Sequence, residues 1–317
     1  MAYLIDIAGD IGGLQTVLQQ AYNTMIVHCS ELISVSMSLA GLGTLVTVSY
    51  QIWDQLEGNK PISLKPLWYP LGIGICISLF PYVIALINGV MEPTVEGTAA
   101  LVNDSNQTIA TLLQQKEQAF QQSTDWQMYV GTTGSGSLEK WEELSGDADT
   151  SLLSGVSNRV KFELSKAAYG MKNSVKVWLS EILQVLYEAA ALCINTVRTF
   201  YLIILAILGP LAMAFSVWPG LRGSLTEWVS RYLGVYLWLP IANIFGSLLN
   251  QIQQEMIKID IAQAGASGQT SFSSIDAGYI IFLIMGIAGY FTIPSVSQYV
   301  IRHAGTGATD WWKAFIK

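Results

Sequence analysis

The chain has 317 residues, of which 51% are hydrophobic and only 12% charged, with a formal net charge of −7. An ordinary soluble domain is about a quarter charged, so the composition points to the membrane. Sixteen Lys and Arg against 23 Asp and Glu exclude a broad electrostatic footprint for nucleic acid, and any contact with DNA would be local and transient.

The N-terminal MAYLIDIAGDIGG has no basic stretch and carries Asp6 and Asp10, unlike a cleavable signal peptide. Residues 1–31 are expected to hold an amphipathic helix. Ile11, Leu14, Leu18, Ala21, Tyr22 and Met25 share one face, and Gln15, Gln19, Gln20 and Asn23 the other. A polar but uncharged face of this kind fits a helix lying on the membrane surface better than one packed on a partner subunit.

Residues 32–90 are expected to hold two transmembrane spans. The first, LISVSMSLAGLGTLVTVSYQI, places Ser36, Ala40 and Thr44 four residues apart, with Gly41 and Gly43 beside them. Small residues at that spacing let helices approach closely in lipid. A polar link with Lys60 and Lys65 leads to the second span, about 67–90, where Trp68 and Tyr69 suit the interface. Residues 91–181 are expected to form a large extracytoplasmic helical loop. It contains a Gln-rich helix near 105–122, a flexible GTTGSGS hinge at 131–137 and an acidic patch from Glu139 to Asp149.

Residues 182–300 are expected to supply three more spans. The longest apolar run, 182–217, carries only Glu188 and Arg198 and exceeds what one span needs. Ten residues separate these two charges, about 15 Å along a helix, so each is expected to meet a polar group on a neighbouring span or subunit. Snorkelling of Arg198 to the headgroups is the alternative. Gly209 and Pro210 predict a kink or break near the far end. A short amphipathic link over 218–231 precedes a fourth span at 232–249, kinked by Pro240. The fifth, 278–300, has Pro294 near its end. Residues 301–317 form a tail with Trp311 and Trp312 as interfacial anchors.

The fold class is thus an all-α polytopic membrane protein of about five spans, with its large loop between the second and third. Lys60, Lys65, Arg222, Arg231, Arg302, Lys313 and Lys317 fall on one side of such a chain, and Lys258 alone represents the short links of the other. This bias places the N-terminus outside and the C-terminus in the cytoplasm. Lys166, Lys172 and Lys176, close to the third span, run against it.

The cysteines Cys29, Cys76 and Cys193 have no metal-ligand spacing and suggest no disulfide framework. His28 and His303 lie far apart, and neither His-Glu-x-x-His nor Gly-x-Ser-x-Gly occurs, so no enzyme activity, cofactor or metal is expected. The alternative function, a small-solute transporter or ion channel, would call for more ionisable groups at membrane depth or repeated halves.

The stretches AAALCINTVRTFYLIILAILGPLAMAFSVWPG, LTEWVSRYLGVYLWLPIANIF and GYFTIPSVS resemble the TraJ proteins of Bacteroidetes conjugative transposons. These are TrbL-like polytopic inner-membrane subunits of type IV secretion systems. The layout of GLGTLVTVSYQIWDQLEGNKPISLKPLWYPLGIGICISLFP is also similar, whereas residues 97–158 carry no resemblance. The resemblance implies an inner-membrane channel or scaffold component of the conjugation machine. It implies a ring of copies of itself (a pentamer is one such ring), with other channel subunits and the energising ATPases as partners. Membrane lipid surrounds it, and it would assist transient passage of single-stranded DNA with its relaxase. It brings no catalytic motif. Contacts between copies are expected through the first and third spans, the latter offering Ala189, Ala190, Ala191, Ala212 and Ser216. The same residues could equally pack inside one chain.

Overall fold

The computed structural model describes residues 13, 16–18, 20–25, 29–58, 67–131, 134–145, 152–267 and 274–301. Every regular element among them is a helix: α1 (Cys29–Glu57), α2 (Trp68–Ser78), α3 (Phe80–Gln122), α4 (Thr124–Tyr129), α5 (Leu138–Ser145), α6 (Leu152–Ser216), α7 (Gly223–Tyr236), α8 (Trp238–Ser267) and α9 (Ser274–Tyr290). A last helix, α10, covers Ile293–Ile301. Three stretches are long and apolar enough to cross a bilayer: Glu31–Glu57, Ser157–Ser216 and Gly223–Ala266. The number rises to five if the pairs α2–α3 and α9–α10 each count as one bent span. The chain is an all-α polytopic membrane protein.

Proline sets where these helices are interrupted. α2 and α3 meet at Leu79 with an 81° bend, and Pro81 is the second residue of α3. Pro210 behaves differently: α6 runs unbroken through Gly209 and Pro210 to Ser216, so the expected break there is absent. The kink expected at Pro240 is confined to Leu237, one non-helical residue between α7 and α8. Leu237 still donates to the Leu233 carbonyl and accepts from Ile241. Pro294 is the second residue of α10, just after the break at Phe291 and Thr292. At all three breaks the proline lies in the first turn of the next helix, where its missing N–H would have had no helical partner or forfeits only one bond. Pro81, absent from the expected breaks, makes the sharpest of them.

The chain forms two compact units. The first comprises Met1–Thr98, Ala191–Ala242 and Tyr290–Lys317. Its core takes Ile73 and Ile77 from α2, Phe80 and Ile84 from α3, a stripe from α6 and Trp228 and Tyr232 from α7. The α6 stripe, Leu202, Ala206, Gly209 and Met213, recurs at three and four residues, one face of a helix, and Val217 just past its end continues it. Gly209 is a site of close approach: a Cβ there would lie 2.8 Å from the Trp228 ring and would overlap Phe80. α1 buries Ser36, Ala40, Gly43 and Thr47, again at four, three and four. A Cβ on Gly43 would stand 2.8 Å from Trp218 Nε1, and Thr47 Oγ1 donates to the Val217 carbonyl at 3.2 Å.

The second unit comprises Ala99–Ala190 and Asn243–Gly289. A polar seam joins α3 to α8. Asn250 Nδ2 donates to Asn106 Oδ1 at 2.7 Å, Gln254 Nε2 to the Ser105 carbonyl at 3.1 Å, and Lys116 pairs with Asp260. The expected polar helix near 105–122 is therefore the continuation of α3, turned towards α8. α9 lies on α8, with Gly289 admitting the Phe245 ring and Gln253 donating to Tyr279. At the other end Tyr129 of α4 stacks on Tyr169, centroids 4.9 Å apart, and Trp141 of α5 meets Phe162 edge-on at 6.1 Å.

The GTTGSGS segment is no loose hinge where it is described. Gly131, Gly134 and Gly136 have φ of 61°, 76° and 72°, conformations that favour glycine, and Ser137 N–H donates to the Met128 carbonyl at 2.8 Å. Residues 146–151, the end of the acidic patch, and the tail 302–317 lie outside the described residues. The two units also divide the chain differently from the boundaries expected at 90 and 181.

Candidate functional site

Among the described residues of the first unit one buried charge sits within the apolar core, Arg198 of α6, only 7% exposed. Its Nε donates to the Tyr236 carbonyl of α7 at 3.3 Å, and its guanidinium carbon lies 5.0 Å from the centroid of the Tyr236 ring. That carbonyl is free because the residue four positions on is Pro240, which has no N–H to complete the helical bond. Sequence thus supplies both halves of the contact, a cation in an apolar helix and a proline that exposes an acceptor. Among the described residues no carboxylate pairs with Arg198.

The same core contains a closed ring of three hydrogen bonds. Asn88 Nδ2 donates to Tyr22 Oη at 2.9 Å, Tyr22 and Tyr232 hydroxyls lie 2.8 Å apart, and Tyr232 donates to Asn88 Oδ1 at 2.8 Å. Running the proton of Tyr22 towards Tyr232 gives every member one donor and one acceptor in the ring, the condition under which buried polar groups are tolerated. Tyr22 is thereby held inside the chain at 7% exposure. The described residues around it, 16, 17, 20, 21 and 23–25, are exposed.

α7 runs antiparallel to the last turns of α6. Ser224 Oγ donates to the Ala212 carbonyl at 3.0 Å, Trp228 Nε1 to the Leu205 carbonyl at 2.8 Å, and Arg198 reaches Tyr236. The stretch 218–231, expected as a connecting link, is in its larger part this docked helix. Trp228, Tyr232, Gly234 and Tyr236 face the core. Thr226, Glu227 and Arg231 are exposed, the last two as an ion pair at 2.5 Å with 64% and 68% of their side chains accessible.

Against this geometry, the model of the family described as homologues of TraJ from Bacteroides conjugative transposon matches residues 9–315. The chain belongs to this TraJ family. No curated protein matches it. Membership extends the likeness over residues 97–158, where the sequence alone carried no resemblance, and ties the chain to conjugative transposon transfer.

In this TraJ homologue the other expected site residues fall in several places. Glu188 of α6 belongs to the second unit, where Gln184, one turn earlier, donates to its Oε1 at 3.0 Å. Glu188 Oε2 is buried without a hydrogen-bond partner. Of the small-residue set, Ser36, Ala40 and Gly43 are buried within the chain, Thr44 is half-buried with its hydroxyl on the Ala40 carbonyl, and Gly41 faces open space. Ser216 is fully buried with its hydroxyl on the Met213 carbonyl, and Ala212 is half-buried. Asn88 and Tyr232 were not singled out by sequence, and Tyr22 and Arg231 were noted only for an apolar face and for charge bias, without the partners they meet. Asn88 offered a signal, as an amide within the apolar PYVIALINGVM.

Proposed function

We propose that this chain is a channel or scaffold subunit of a conjugative type IV secretion machine in the inner membrane. It would assist single-stranded DNA and its attached relaxase across that membrane. The observation that carries the reading is the family match over nearly the whole chain, on a helical molecule built for a bilayer. The buried polar ring and the Arg198 contact support a structural part for these residues: they lock helices together and offer no reacting group. We assign the chain no catalytic step and no cofactor. Its partners in this reading are further copies of itself in a ring, other secretion subunits with their ATPases, and lipid. In this reading the N-terminus is periplasmic and the tail cytoplasmic, which the basic residues of the short links support.

In-frame deletion of the gene tests the reading. Transposon transfer should fall below detection with growth unchanged and return on complementation. Normal transfer, or a growth defect relieved by adding a small solute, would contradict it.

A further inference from the structure

We infer that the outer face of α7 borders a water-filled passage and not lipid. Three contacts fix the depth of this helix. Ser224, Trp228 and Tyr236 meet Ala212, Leu205 and Arg198 of α6 in turn. From Thr199 to Ser216 α6 has no charged residue, and it exposes Phe200, Tyr201, Leu208 and Phe215, a surface suited to hydrocarbon. α7 lies at the same depth, yet no large hydrophobic side chain between Gly223 and Tyr236 is exposed. Its exposed residues are Gly223, Thr226, Glu227 and Arg231, with Ser230 and Leu233 half-buried beside them.

Leu205 is eleven residues from Ser216, about 16 Å along α6, and six from Thr199, about 9 Å. Arg231 lies beyond Trp228 towards Tyr236, level with α6 between Leu205 and Arg198, beside the exposed Phe200 and Tyr201. Ionised side chains at such depth face a bundle interior or a water-filled cavity, not the acyl chains. Pairing within the helix leaves Glu227 and Arg231 mutually neutralised but still mostly exposed, a wall that is wet without being strongly charged. What the passage carries rests on the proposed secretion role. That it holds water rests on the geometry and the membrane class.

Thiol accessibility in native membranes tests it with the full chain. In a background with Cys29, Cys76 and Cys193 changed to Ser, single cysteines replace Thr226 or Ser230 on α7 and Phe200 or Leu208 on α6. A charged, membrane-impermeant methanethiosulfonate is added to opened membrane vesicles, and each variant is first checked for insertion. The α7 cysteines should react at least tenfold faster than the α6 pair. Equal fast reaction at all four positions would show that this depth is outside the hydrocarbon and overturn the inference. Equally slow reaction would show the α7 face covered by lipid or by another chain, and would overturn it too. Transfer is scored separately, so loss of the secretion role leaves the labelling result readable.

Discussion

Arg198 is held by a carbonyl that a proline has set free, and this coupling can be measured. Hydrogen bonds involving a charged group contribute about 1.5–3 kcal/mol, so Arg198→Ala should lower stability in detergent by about that amount. In a Pro240→Ala background the substituted residue brings the missing N–H to the Tyr236 carbonyl, and removing Arg198 should then cost less. Equal costs in both backgrounds would refute the link. The Asn88–Tyr22–Tyr232 ring makes a parallel prediction. Tyr232→Phe strands the Asn88 carbonyl and should cost about 1–3 kcal/mol, and a second change of Tyr22→Phe should add less than it costs alone. Additive losses would mean the three groups do not act as one. At this scale the sequence showed the lone charges and not their partners. Arg198 meets an atom 38 positions away, and Tyr22 meets residues 66 and 210 positions away, separations no local pattern encodes. A central charge costs about 2.5–3.5 kcal/mol on the insertion scale, which made Arg198 legible and says nothing of what satisfies it.

The helices themselves were legible because apolar runs and small-residue stripes are local. α1 shows how far that reaches. Ser36 and Ala40 were visible as a stripe, but the buried line continues to Gly43 and Thr47, since 3.6 residues per turn carries it off the strict four-residue spacing. Gly43→Ala, whose Cβ would press on Trp218, should therefore destabilise by about 1–3 kcal/mol, whereas Gly41→Ala, which meets open space, should be neutral or slightly stabilising in detergent melting. Similar effects at the two sites would contradict the assigned face. Breaks were less legible, because a proline marks one where it falls in the first turn of the next helix and leaves none where the helix runs on through it. Pro210 lies inside α6 and Pro81 opens α3. In the second unit, burial and then the nearby Asp125 carboxylate push the Tyr129 phenol above its ordinary value of 10.0. A raised value keeps the folded phenol neutral while the unfolded one ionises. The resulting stability is present below pH 10 and is lost as pH rises through the folded value. Melting of wild type should fall more steeply above pH 10 than that of Tyr129→Phe.

For the molecule as a whole, the composition alone identified a membrane protein, and the resemblance of its second half to TraJ proteins agrees with the family match over residues 9–315. The division into two units was not legible, since α3, α6 and α8 each run through a boundary without a change of hydrophobic pattern that marks it. On the proposed topology, a cysteine at Gly134 should be labelled from outside the intact inner membrane and one at Gly305, in the tail beyond the described residues, should not. The reverse would invert the assignment. With Ser36, Ala40 and Gly43 buried inside one chain, the exposed side of α1 and the polar side of α7 are among the described surfaces open to other copies or to water. Imaging the detergent-solubilised full-length protein tests the central claim most directly. The account predicts closed rotational symmetry around an opening that the Thr226–Arg231 face of α7 lines. A monomer, or a closed assembly with α7 turned outward to the detergent belt, would contradict it.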